Sequence, residues 1–251
     1  MKPHLQAMNG NLSLEQRYLA VTSRIERAAK AAGRDPRDVR LLAVSKTFPA
    51  GEIGQLAALG QWAFGENYLQ EALAKMASLA HLPSMEWHFI GPIQSNKTRK
   101  IAESFDWVQS VDDERIARRL SDQRPPRLPP LQVCLQVNVS GEASKSGCEP
   151  ADVVPLALSM ERLPGIRLRG LMAIPEPTDD PALQARRFAQ LRELFDELRE
   201  RLGKSGDESA ERGTDGFDTL SMGMSADLEA AIGAGATIVR VGSALFGERP
   251  R

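Results

Sequence analysis

The sequence predicts an α/β protein, a single (β/α)8 barrel of the TIM type with an extra N-terminal helix. Three observations point there. Eight short runs of β-forming residues recur along the chain, and helical patterns alternate with them. Several of these runs are apolar enough to be covered on both faces, as parallel strands are. The chain has 251 residues, 42% of them hydrophobic, a length that α/β barrels commonly fill as one domain. Eight units favour closure over an open doubly wound sheet. Residues 1–251 are expected to form one domain.

The first helix starts near Ser13, whose hydroxyl and Gln16 three residues on read as a capping box. Tyr18, Val21, Ile25 and Ala28 follow at helical spacing, and Gly33 and Pro36 end the helix, which is expected to cap the bottom of the barrel. The expected strands are Val39–Lys46, Trp62–Asn67, Glu86–Gly91, Trp107–Val111, Leu131–Val139, Ile166–Ile174, Thr219–Met224 and Thr237–Gly242. The expected helices between them are Gly51–Leu59, Tyr68–Leu79, Asn96–Ser104, Asp113–Ser121, Ala151–Glu161, Pro181–Leu202 and Ala226–Ala234. Two segments break the rhythm. Arg124–Pro130 reads as a stiff, extended lead into the fifth strand, and Gly203–Gly216 is too polar and flexible to pack, so disorder is expected there.

Lys plus Arg number 32 against 33 Asp plus Glu, so no global field would hold the chain on nucleic acid or an anionic membrane. The N-terminus lacks the apolar run of a signal peptide, and no stretch approaches the roughly 18 apolar residues of a membrane span. A cytoplasmic protein is expected. Cys134 and Cys148 have neither metal-site nor disulfide spacing and read as reduced thiols, with no metal site.

In such a barrel the chemistry sits at the C-terminal ends of the strands. Strand one ends in Lys46 after an apolar run, where partial desolvation favours the neutral amine that forms a Schiff base with an aldehyde. The competing reading is a lysine whose ammonium reaches solvent at the rim. Strand seven ends in Ser221–Asp227, a small-residue turn whose amides, with Ser225 at or near a helix N-cap, suit a phosphate. An ordinary N-cap is the alternative. Strand eight continues through Arg240, Gly242 and Ser243: Gly242 admits close backbone approach, Ser243 adds a hydroxyl, and Arg240 directs a fixed cation at whatever the phosphate carries. Pyridoxal 5'-phosphate bears an aldehyde and a phosphate on opposite sides of one ring and would fill the gap between strand one and strands seven and eight. Asn67, His88, Ser110, Asn138 and Met172 would line the rest of the mouth, with His88 reading equally as a hydrogen-bonded core residue.

The motifs Ala43–Thr47, Phe64–Glu71, Trp87–Gly91, Ser144–Gly147, Gly170–Met172, Ser221–Asp227 and Arg240–Gly247 closely resemble those of the pyridoxal phosphate homeostasis protein family, the YggS/PROSC group. The resemblance runs from about Leu12 to Gly247. It implies a monomeric-type barrel similar to the N-terminal domain of alanine racemase, with the cofactor bound covalently and no established turnover. Carried onto this chain, it makes Lys46 the Schiff-base lysine, Ser225, Gly242 and Ser243 the phosphate cradle, Arg240 the partner of the pyridine nitrogen, and Asn67 a residue flanking the ring. Phe48 stands where the family often has a basic or polar residue. The expected partners are the cofactor and apo-enzymes that accept it.

Three functions compete. The first is a cofactor carrier serving intracellular vitamin B6 and amino-acid homeostasis without robust catalysis; the others are an amino-acid racemase and an aldolase using Lys46. A racemase needs a second base opposite Lys46, which the resemblance assigns to a tyrosine of a further domain in alanine racemases. Only about nine residues follow Gly242, so that domain is expected to be missing, and neither Tyr18 nor Tyr68 is an obvious substitute. An aldolase should add a base near the lysine, where Glu66 is the only acid plainly near a strand end and reads as structural.

Overall fold

The structure is a computed structural model, and it describes residues 12–82, 85–140, 146–204 and 216–247. Eight parallel strands close in sequence order into a barrel: β1 Arg40–Val44, β2 Ala63–Glu66, β3 Glu86–Phe89, β4 Trp107–Val111, β5 Leu131–Gln136, β6 Ile166–Met172, β7 Thr219–Ser221 and β8 Ile238–Val241. Closure is made by β8 on β1, with Leu42 opposite Arg240 and Ala43 opposite Val241. The outer helices are α1 Leu14–Ala31, α2 Ala50–Ala58, α3 Leu69–Ser78, α4 Thr98–Ser104, α5 Glu114–Gln123, α6 Val153–Glu161, α7 Pro181–Lys204, α8 Leu228–Gly233 and α9 Ser243–Phe246. All eight expected strands are present, most of them shortened at the C-terminal end, where the chain leaves the ladder to build loops.

The expected capping box is present, with the Ser13 hydroxyl accepting from Gln16 N and the Gln16 side chain accepting from Ser13 N. The expected placement of α1 is wrong. It packs on the outside wall against α2, α8 and α9, and Arg17 donates to Leu245 O at 2.6 Å while Arg34 donates to Ala236 O at 2.8 Å. The physical reason is that α9, the helix that follows β8 among the described residues, is only four residues long, which leaves the outer layer open between α8 and α2. The apolar stripe of Val21, Ile25 and Ala29 fills that opening. The Arg124–Pro130 segment is also more folded than an extended lead: Leu128 N closes a turn on Pro125 O at 2.9 Å. Arg124 is buried by donating to Ala102 O, Phe105 O and Pro129 O. Within the Gly203–Gly216 insert, α7 continues to Lys204 and residues 205–215 lie outside the described ones, as does Lys145.

The main core lies between the strands and the helices, where Phe64, Val108, Leu135, Leu171 and Val239 meet Ile53, Ala117, Phe188 and Leu198. A second set with the alternate strand phase, Leu42, Val44, Ala63, Ile90 and Ile238, fills one side of the barrel interior, and Trp107, Cys134 and Met172 fill another. Buried polar residues sit among them, namely His88, Gln109, Ser221 and Arg240. Branched aliphatics usually dominate a barrel interior, so this polar seam needs a reason. Both cysteines are buried free thiols, their pKa pushed up to about 12 by burial.

Candidate functional site

Lys46 continues the inward phase of Leu42 and Val44 just beyond β1 and is half-buried. It opens a turn in which Thr47 adopts φ 69°, a left-handed conformation that costs a non-glycine residue about 1–2 kcal/mol. Three contacts hold this turn. Phe48 N donates to Ser45 O at 3.1 Å, Thr47 N donates to Glu71 Oε1 at 2.6 Å, and the Phe48 ring stacks on Phe246 with centroids 4.8 Å apart.

Behind the turn lies a buried ion cluster. Lys75 Nζ donates to Ser45 O at 2.7 Å and to Glu66 Oε1 at 2.8 Å, and also pairs with Glu71. The Ser45 hydroxyl donates to the same Glu66 oxygen at 2.6 Å. Burial raises the Glu66 pKa, outweighing the downward pull of Lys75 and Ser45, and Glu66 Oε2 has no hydrogen-bond partner. Glu66 therefore braces the turn from the helix side of β2, a structural role.

Across the β1–β8 seam, a Cβ on Gly242 would stand 3.3 Å from Val44 O, so the turn after β8 lies directly against the end of β1. Ser243 Oγ and Ser225 Oγ are 3.4 Å apart, and Ala244 N donates to Ser225 Oγ at 3.4 Å. Ser225, expected at or near a helix N-cap, lies in the turn two residues before the cap of α8. Asp227 holds the cap position, and its Oδ1 accepts from Met224 N at 2.5 Å. The carbonyl of Ser225 is held by Arg24 of α1 at 3.1 Å.

Arg240 points into the barrel and is 4% exposed. Its Nη1 donates to Ser221 O and Oγ, both at 2.7 Å, and its Nη2 to Ala173 O at 2.8 Å, which sets the guanidinium at the C-terminal ends of β6 and β7. Burial lowers its pKa to about 10, which leaves it a cation at neutral pH. Asn67 follows β2, with its Oδ1 buried and without a hydrogen-bond partner. Of the other expected mouth residues, Asn138 stands just beyond β5, buried and with its Nδ2 donating to Glu149 Oε1 at 3.2 Å, while three lie deeper. His88 is fully buried and bonded through both ring nitrogens, to Glu86 and Gln109, while Ser110 donates to Gly91 O at 2.6 Å and Met172 packs in the interior. His88 is thus the hydrogen-bonded core histidine, not an open acid or base.

Comparison with known proteins decides the family. The alanine racemase N-terminal domain model matches residues 18–250. The pyridoxal phosphate homeostasis protein of Pseudomonas aeruginosa is 60% identical over 237 residues, covering 94% of this chain and 96% of that protein. The chain belongs to the pyridoxal phosphate homeostasis protein family. The Escherichia coli member is 48% identical over 231 residues, covering 91% of this chain and 94% of its own length. A solved member, PipY of Synechococcus elongatus with PLP bound, superposes with a TM-score of 0.74 at 38% identity, covering 89% of this chain and 99% of its own. Alanine racemase of Corynebacterium glutamicum shares the fold alone, with a TM-score of 0.62 at 17% identity over 62% of its length.

Within this homeostasis-protein barrel, Lys46, Gly242, Ser243, Ser225 and Arg240 come together at the C-terminal ends of β1, β7 and β8. Asn67 stands at the end of neighbouring β2. Sequence reading missed the parts that hold these residues: Arg24, Phe48 with Phe246, and Lys75 with Glu71. Only the Glu71–Lys75 spacing of four residues was a visible signal.

Proposed function

We propose that this single-domain chain holds pyridoxal 5'-phosphate on Lys46 and acts in the cytoplasm as a carrier in vitamin B6 and amino-acid homeostasis, handing the cofactor to apo-enzymes without robust catalysis of its own. The observation that carries this reading is the convergence of half-buried Lys46, the Ser225–Ser243 hydroxyl pair and buried Arg240 at one end of the barrel. The orphaned Asn67 Oδ1 fits a polar ligand there. When bound, the cofactor supplies an aldehyde that forms a Schiff base with an amine and a ring that withdraws electrons. Lys46 is the amine, Ser225 and Ser243 donate to the phosphate, and Gly242 keeps the β8 turn close to the lysine. One protomer suffices, because every named residue belongs to one chain.

Arg240 argues against turnover. A guanidinium donates hydrogen bonds only, so it leaves a facing pyridine nitrogen unprotonated and weakens the ring as an electron sink. For racemisation, neither tyrosine is placed as a second base, since Tyr18 lies on outer helix α1 and Tyr68 is 55% exposed at the start of α3.

Two measurements test the reading. Ser225→Ala and Ser243→Ala each remove a donor to a dianion, so affinity for the phosphorylated cofactor should fall roughly tenfold or more while binding of pyridoxal hardly changes. Equal losses for both ligands would mean that the serines shape the loop only. Exchange of the α-hydrogen of amino acids in deuterated solvent should be slow in the unmutated protein and faster in Arg240→Glu, or in Arg240→Gln should the acid not fold. Rapid exchange without substitution would overturn the carrier reading.

A further inference from the structure

We propose that Ser221, Gln109 and His88 are positioning residues for Arg240, linked in a one-directional hydrogen-bond chain that crosses the barrel interior and ends on Glu86. The proposal deepens the reading of Arg240 as the residue facing the pyridine nitrogen and rests on it. The links are continuous. Arg240 Nη1 meets Ser221 Oγ at 2.7 Å, Ser221 Oγ meets Gln109 Oε1 at 2.6 Å, and Gln109 Nε2 meets His88 Nδ1 at 2.8 Å. His88 Nε2 meets Glu86 Oε1 at 2.7 Å, and Arg40 closes on the same oxygen. These residues come from β8, β7, β4 and β3, so the chain runs from the mouth level of β7 to the first residue of β3 at the opposite end of the barrel.

The two ends fix its sense. A guanidinium only donates, so the Ser221 hydroxyl accepts from Arg240 and sends its one hydrogen to the Gln109 carbonyl. The Gln109 amide then presents its NH2 to His88 Nδ1, which must be unprotonated. The imidazole hydrogen stands on Nε2 and is donated to Glu86, whose carboxylate only accepts. Reversing the Gln109 amide would put a hydrogen on His88 Nδ1 and leave two acceptors, Nε2 and Glu86, face to face unless His88 were charged. Burial disfavours that charge, although Glu86 pulls the other way. The His88 ring is further held by stacking on Trp107, with centroids 5.2 Å apart.

The arrangement contributes to stabilising a guanidinium so deeply buried with no carboxylate in direct contact among the described residues, Asp227 favouring the cation only from a longer distance. Every link points its negative end toward Arg240, and the acid that anchors the series sits at the other end of the barrel. A carboxylate in direct contact would occupy the guanidinium as a pair. Neutral oxygens hold it by three of its five donors and leave the rest for a ligand.

The test has two arms. The first uses the unmutated, cofactor-free protein: long-range 15N NMR of the imidazoles, with only 3 histidines to assign, should show His88 neutral with its hydrogen on Nε2. A hydrogen on Nδ1, or a charged ring at neutral pH, overturns the chain whatever the site binds. The second arm reads the absorption band of bound pyridoxal 5'-phosphate. Gln109→Leu and Ser221→Ala should move it in the same direction as Arg240→Gln and by less, while Ser221→Thr, which keeps the hydroxyl, restores it. If Arg240→Gln moves the band and Gln109→Leu does not, the chain does not position Arg240, although the cofactor reading stands. If neither moves it, Arg240 does not face the ring, and both readings fall.

Discussion

Lys46→Ala is expected to yield a protein that takes up pyridoxal 5'-phosphate weakly and only as the free aldehyde. The substitution removes the amine that condenses with the aldehyde, so the internal-aldimine band should be lost completely and not merely reduced. Ser225 and Ser243 follow β7 and β8, and Arg240 lies on β8, so none of them depends on the lysine and phosphate-dependent binding should persist. Phosphate should therefore compete with cofactor in the variant, and pyridoxal without phosphate should bind barely at all. Absorption spectroscopy with equilibrium dialysis reads both effects. A borohydride-reducible linkage in the Lys46→Ala protein would place the Schiff base on another lysine, with Lys145 the first to examine.

Lys75→Met should cost the most stability. It strips the cation from a cluster in which Glu66 is wholly buried and already has one oxygen without a partner. Breaking a buried pair on one side costs about 3–5 kcal/mol. For a chain of this size that lowers Tm by roughly 6–20 °C. The pH dependence has a definite sign. Burial raises the Glu66 pKa above its unfolded value, so the neutral acid is favoured in the fold, and its contribution is lost as pH rises through the folded pKa. Removing Lys75 takes away a group that lowers this pKa, so the variant's deficit should be smallest in mild acid and grow towards mild alkali. Lys75→Met with Glu66→Gln should recover much of it. Thermal melts across pH would show this, and a deficit independent of pH would mean that Glu66 is not the charged partner described. Because Thr47 N rests on Glu71 and Ser45 O on Lys75, the same variant should also bind cofactor more slowly.

The barrel was legible because its strands carry their own signature. Runs such as Leu41–Val44 and Val133–Leu135 are apolar on both faces, and a lysine or glycine where such a run ends is visible without coordinates. Lys46 and Gly242 were readable on that ground. The position of α1 was not, because it depends on the gap left beside α9, which spans only four residues. The exact N-cap of α8 was not legible, since Ser225 and Asp227 are both good cap residues and stand two positions apart. Local pattern also could not reveal the polar seam: His88, Gln109, Ser221 and Arg240 lie on four strands, and only closure of the barrel sets them side by side.

The account turns on one covalent address. Borohydride reduction of the cofactor-loaded protein, followed by proteolysis and mass mapping, should place a single pyridoxyl group on the peptide containing Lys46 and leave every other lysine unmodified. A label on any other lysine, or no reducible linkage with the cofactor bound, would contradict it.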